Sequence, residues 1–305
     1  MRRWLALPLL LLAAQAAPPT ADVTAPPTQV DPGDELIFDY HDERMTVPVA
    51  IAGAGPHRFV IDTGAQRTVI SRELARRLGL AEGPTVGLTA MSGSTRVGTA
   101  VIPSITVSSL GGERIEAPLL EARFLGAPGM LGLDTLQGHA VVIDFDRRSM
   151  TLQPSRKRAR RSQSRPGEVV VRARSLYGQL VVTDAYVGAV KVRVILDTGT
   201  AVTTGNLALK RRLRRLKGVP IELVSVVGGV LQADYTTVPQ VRIGDAHIGN
   251  MPVAFADAAP FRAFMLEDRP ALMLGMDALR LFRRVRIDFP NREVRFTMPP
   301  GTRIG

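Results

Sequence analysis

The tripeptide Asp-Thr-Gly occurs twice, at Asp62-Thr63-Gly64 and at Asp197-Thr198-Gly199, and the residues around the two copies keep step. Each triplet follows an apolar run, Phe59-Val60-Ile61 in one half and Val194-Ile195-Leu196 in the other. A glycine stands nine residues before each aspartate (Gly53, Gly188) and another thirty-one after it (Gly93, Gly228). Met130-Leu131-Gly132-Leu133-Asp134 is answered by Leu272-Met273-Leu274-Gly275-Met276-Asp277, and Ile143-Asp144-Phe145 by Ile287-Asp288-Phe289. An internal repeat with so many landmarks in register constrains the architecture before anything else does: the chain folds as two similar units.

Local pattern makes those units mostly β. Short alternating or β-branched segments predict strands at Thr46–Ile51, Phe59–Ile61, Val101–Val107 and Ala140–Phe145. Their counterparts are Leu180–Val187, Val190–Leu196, Thr237–Ile243 and Val285–Phe289. Gly53 and Gly188 mark hairpin turns. One helix is expected after each triplet: Ser71 can cap Arg72–Leu80, with Leu74 and Leu78 on one face, and Asn206 can cap a helix bearing Leu209, Leu213 and Leu216. Residues 154–167, rich in Arg, Ser and Pro and without apolar periodicity, read as a linker between lobes at about 36–153 and 168–299.

The N-terminus reads as an export signal over residues 1–16. Arg2 and Arg3 precede an apolar run from Trp4 to Ala14, and Ala14-Gln15-Ala16 offers a small-x-small cleavage pattern. A Pro-, Ala- and Thr-rich leader (17–35) follows. The chain has no cysteine, which excludes a disulfide scaffold, a thiol nucleophile and a cysteine-bound metal. Together these features predict an exported, periplasmic or secreted protein. Much of the net charge of +11 sits in Arg156–Arg161 and Lys210–Lys217. No aromatic residues interleave with those runs for base stacking, so solvated faces or peripheral contact with an anionic envelope surface are expected, and no nucleic-acid partner.

Placed twice after an apolar strand, Asp-Thr-Gly has a physical logic. Glycine lets the chain turn sharply and brings backbone N–H groups to the carboxylate. Threonine can hydrogen-bond across to the other loop, and aspartate is left facing its twin. Two adjoining carboxylates cannot both ionise, so they share a proton and their pKa values split. Such a pair is equipped for general acid–base hydrolysis of an amide. Other acids have plainer readings: Asp134 and Asp277 as helix caps, Asp144 and Asp288 as turn residues. His41, His57, His139 and His247 lack ligand spacing.

These motifs resemble the aspartic proteases of the pepsin and retropepsin superfamily, within it the bacterial two-lobed retropepsin-like type. The resemblance implies an all-β, bilobal fold with one short helix per lobe and an aspartic endopeptidase acting on protein or peptide substrates without cofactor or metal. It implies a monomer with an internal pseudo-twofold. Asp62 and Asp197 would be the catalytic pair, supported by Thr63, Gly64, Thr198 and Gly199. Gly132 and Gly275 would allow close passage behind each loop. Met91, Ser92 and Gly93 in one half, and Val227 and Gly228 in the other, would belong to flaps over the substrate. Neither flap carries the tyrosine usual in pepsins, although Tyr235 lies near, and Ala65-Gln66 differs from Thr200-Ala201. The rival reading is a catalytically silent peptide-binding module of the same fold.

Overall fold

The computed structural model describes residues 35–300 apart from 42, 108–109, 159–163, 177–178 and 214–215, so the signal segment, nearly all of the leader and the middle of the linker lie outside the described residues. The first half opens with β1 (Glu35–Ile37), β2 (Asp39–His41), β3 (Arg44–Ile51), β4 (Ala54–Ile61), β5 (Val69–Ser71) and helix α1 (Arg72–Arg77). It continues through β6 (Glu82–Ala90), β7 (Gly93–Ile102), β8 (Ile105–Val107), β9 (Leu110–Gly112) and β10 (Ile115–Leu120). It closes with α2 (Ala122–Leu125), β11 (Gly129–Leu131), α3 (Leu133–Leu136), β12 (His139–Asp144) and β13 (Ser149–Pro154).

The second half repeats this order. It begins β14 (Glu168–Leu176), β15 (Gln179–Val187), β16 (Val190–Leu196), β17 (Thr204–Gly205) and α4 (Leu207–Arg212). Then come β18 (Val219–Val224), β19 (Val230–Ile243), β20 (Ala246–Phe255) and α5 (Ala259–Ala263). Last are β21 (Ala271–Leu274), α6 (Met276–Leu279), β22 (Arg284–Asp288) and β23 (Glu293–Thr297). The protein is an all-β, bilobal fold. Among the described residues each half has three short helices rather than one, because turns of four or five residues are too brief to leave an apolar period in the sequence.

Local chemistry explains the elements that flank the triplets. At the β3–β4 hairpin Ala52 and Gly53 both have positive φ (49° and 78°), as a type I′ turn requires. Ser71 Oγ accepts from Leu74 N at 3.1 Å and starts α1 as expected. The helix ends earlier than the expected Leu80. Gly79 turns left-handed at φ 60°, Gly79 N reaches Arg76 O and Leu80 N reaches Ala75 O, the paired bonds of a Schellman stop. Asn206 caps α4 by accepting from Leu209 N at 2.9 Å. The expected strand at Val101–Val107 is split instead at Pro103, which has no N–H to give a ladder.

Strand pairing joins the halves. Three strands of each make a continuous order β1-β13-β12-β22-β23-β14, with β12 antiparallel to β22 at the seam. Across that seam Val142 pairs with Arg286, its own counterpart in the repeat, so the pseudo-twofold passes between them. One apolar core runs beneath, taking Val141, Ile143, Met150 and Leu152 from one half and Val285, Ile287, Val294 and Phe296 from the other. Asp144 and Asp288 end their strands and brace the turns that follow, accepting from Arg147 N and Asn291 N, and each also meets arginine at the seam, Arg284 and Arg286 respectively. The start of the linker is pinned here too: Ser155 Oγ donates to Asp288 at 2.8 Å and Arg158 N to Asn291 Oδ1 at 2.8 Å.

Candidate active site

Each triplet hangs from the end of a buried strand, β4 or β16. In the first half β11 runs parallel to β4 and antiparallel to β5, and Asp62 N donates to Leu131 O at 2.9 Å. In the second half β21 does the same for β16 and β17, and Asp197 N donates to Leu274 O at 3.0 Å. The loops must then pass very close to the glycines that follow. A Cβ on Gly132 would come within 2.4 Å of Arg67 C, and one on Gly275 within 2.7 Å of Val202 C. Only glycine fits either position.

The two triplets interlock. Thr63 Oγ1 donates to Leu196 O (2.9 Å) and Thr198 Oγ1 to Ile61 O (2.8 Å), each reaching into the other half. Thr63 N and Thr198 N in turn donate to the opposite hydroxyl at 3.1 and 3.3 Å. Asp62 and Asp197 are almost wholly buried, at 9% and 6% exposure, and each carboxyl lies against the glycine of the other's triplet. Asp62 Oδ1 accepts from Gly64 N (2.7 Å) and Ala65 N (2.9 Å), and Asp197 Oδ1 from Gly199 N (3.0 Å). The crossing is tight: a Cβ on Gly64 would lie 2.7 Å from Asp197 Cγ, and one on Gly199 2.3 Å from Asp62 Cγ.

Electrostatics separates the pair. Burial raises the pKa of Asp62, and although the Gly64 and Ala65 N–H groups, Asp197 and the Arg44 guanidinium pull against it, the net shift is upward. Burial raises Asp197 well above the usual carboxylate range, and the neighbouring Asp62 charge and hydrogen bond raise it further. The arrangement can hold one proton between two oxygens, with the negative charge favoured on Asp62 and the proton retained by Asp197.

Supports that sequence reasoning missed lie just behind. Asp134 and Asp277 do not cap their helices; the cap positions are Gly132 and Gly275, with no side-chain bond. Each carboxylate instead grips its active loop. Asp134 accepts from Thr68 N (2.8 Å) and Thr68 Oγ1 (2.7 Å), and Asp277 from Thr203 N (3.0 Å) and Thr203 Oγ1 (2.6 Å). A signal was present, since Thr68 and Thr203 both stand six residues after their aspartate. Gln179, at 1% exposure, also donates from Nε2 across to Gly64 O.

The expected flap residues sit at hairpin tips, and each tip rests on the other half. Met91 and Ser92 form the β6–β7 turn ahead of Gly93, whose φ is 150°. Met91 O accepts from Ala259 N at 3.1 Å, and its side chain packs against the second-half cluster that contains Phe261 and Phe264. Val226 and Val227, in the β18–β19 turn with Gly228 at φ 85°, pack against a first-half cluster that includes Leu125 and Met130. The tips meet, since a Cβ on Gly229 would come 2.8 Å from Ser92 Cβ. Tyr235 is away from the tips, paired with Val219 at the hairpin base.

Each half also matches a known family separately. The family model described as gag-polyprotein putative aspartyl protease matches residues 47–138, and the one described as Aspartyl protease matches residues 182–278. Each matched stretch contains one of the two triplets. Among curated proteins, none matches the chain.

Proposed function

The chain belongs to the retropepsin-like aspartic proteases, and from that premise we propose that it is an exported endopeptidase in which Asp62 and Asp197 activate one water against a peptide bond. The observation that carries this reading is the juxtaposition of two buried carboxyls, from residues 135 apart in the chain (197 − 62), within one interlocked pair of loops.

Ionised Asp62 takes a proton from the water as its oxygen bonds to the scissile carbonyl carbon. Asp197 gives its proton to the carbonyl oxygen, leaving a neutral gem-diol. Asp62 then passes the water's proton to the amide nitrogen, the C–N bond breaks, and one diol hydroxyl returns a proton to Asp197. Both aspartates end as they began, and no covalent enzyme intermediate forms. Thr63, Thr198, Gly64 and Gly199 act by fixing the two carboxyls. The tips bearing Met91, Ser92, Gly93, Val227 and Gly228 close over the peptide and exclude bulk water.

Assay of a mixed peptide library tests the reading. Cleavage should be blocked by a transition-state-mimicking aspartic protease inhibitor and lost in Asp62→Asn and Asp197→Asn, while circular dichroism stays unchanged. Turnover that survives either substitution would overturn it. Export is tested by cell fractionation and N-terminal sequencing of the mature protein, which should begin at Ala17.

A further inference from the structure

On the outer face of the second-half sheet, beside α5, lies a cavity of about 240 Å³. Strand alternation builds it. Val192 and Val194 point into the main core, so Arg193 and Ile195 of β16 fall on the opposite face, with Val181 of β15 beside them. The β15–β16 register shifts between Val182 and Ala185, a bulge that sets Thr183 at the cavity wall. Val181, Leu176, Phe264 and Leu266 give it an apolar floor. Met265, 60% exposed with φ 53°, forms one lip.

Three arginines, Arg174, Arg193 and Arg269, are among the residues that line this cavity. The acids in the neighbourhood are engaged or turned to solvent: Asp184 lies near Arg242, Asp257 pairs with Arg262, and Glu267 and Asp268 are exposed in the loop before Arg269. None of the three arginines has a carboxylate within salt-bridge distance among the described residues. Grouped like charges repel one another, and an anion between them relieves the repulsion with charge-assisted hydrogen bonds. The floor beneath would bury an apolar chain attached to that anion.

We infer that this pocket binds a small carboxylate carrying a short apolar chain. Its volume lies below the usual range for small-molecule sites, about 300–1,000 Å³, so the chain is short. A fatty carboxylate and the apolar C-terminal residue of a peptide present the same chemistry. The inference stands apart from peptide hydrolysis and needs no active enzyme to test.

Titration of full-length protein labelled with ¹³C at the methionine methyls tests it, with octanoate and N-acetyl-leucine as probes and octan-1-ol and N-acetyl-leucinamide as neutral controls. At least one acid should shift the Met265 methyl saturably, about tenfold or more tighter than its neutral analogue, and the tighter acid identifies the source. Arg193→Gln, and separately Arg269→Gln, should each weaken that acid about tenfold while the other methionine signals stay in place. Equal binding of acid and neutral analogue, no saturable shift by either acid up to about 10 mM, or unchanged binding in both variants would overturn the inference.

Discussion

At the dyad the two halves are near copies. Thr63 and Thr198 exchange the same pair of bonds, Thr68–Asp134 repeats as Thr203–Asp277, and Gly132 and Gly275 make the same close pass. Around the cleft they part company. The β6–β7 turn has two residues, 91–92, whereas the β18–β19 turn has five, 225–229. Arg44 stands eighteen residues before Asp62, and Gln179 stands eighteen before Asp197. Symmetry is kept where one half must fit the other and relaxed at the hairpin tips, which on the proposed function would face a substrate that is itself asymmetric. It is relaxed even in the dyad's surroundings, where Arg44 favours the anion on Asp62 and no cation among the described residues does so for Asp197.

The largest test of this likeness is loss of either aspartate. Asp62→Asn and Asp197→Asn should each lower kcat/KM about 10³-fold or more, and the double variant should be little worse than either. A large difference between the single variants would mean that one half carries the chemistry alone. Next come the crossing glycines. Gly64→Ala and Gly199→Ala each push a methyl into the opposite carboxyl, and both should lower kcat by at least about tenfold with far-UV circular dichroism intact. A kcat unchanged in either would show slack at the crossing.

The interlock is tested by Thr63→Val and Thr198→Val. Each leaves a buried carbonyl, Leu196 O or Ile61 O, without its donor, a loss of about 1–3 kcal/mol measurable by urea unfolding. The two losses should match. The smallest effect is the most diagnostic, because its sign changes with place. A raised carboxyl pKa means tighter proton binding in the folded state, so the contribution of Asp197 is full below the unfolded value of about 3.9 and is lost as pH rises through its raised value. Asp197→Asn should therefore raise Tm at neutral pH, by more than Asp62→Asn does, and the gain should vanish in acid. Asp144 has the opposite linkage. Burial pushes its carboxyl up, but the Arg284 hydrogen bond and the Arg147 N–H and charges outweigh it, and the net shift is downward. Its contribution is present above about 3.9 and is lost as pH falls through the lowered value. Asp144→Asn should lower Tm at neutral pH and match the wild type in strong acid. Calorimetry across pH checks both signs.

What the sequence disclosed is what local chemistry writes. The triplets, the Ser71 and Asn206 caps, the hairpin glycines and the repeat itself were legible because each is a short pattern with a fixed physical meaning. The grip of Asp134 on Thr68 was half legible: both residues recur in register, but only folding brings side chains 66 positions apart together. Two features left no local trace. The β12–β22 seam pairs strands more than a hundred residues apart, and the tips cross to the opposite half through contacts between ordinary residues such as Met91 and Ala259. Arg156–Arg158 also read as plain tether by composition, whereas a buried acid in the other half, Asp288, anchors that end of it.

The crossed tips have a kinetic consequence. With each hairpin latched onto the far half and the two touching at Ser92 and Gly229, the proposed function implies that the resting molecule is shut, and that an incoming polypeptide meets only the fraction of molecules in which both latches have released. Measured affinity is then weaker than the grip of the closed complex by that fraction. Loosening a tip should make the enzyme quicker to load and poorer at holding what it has caught.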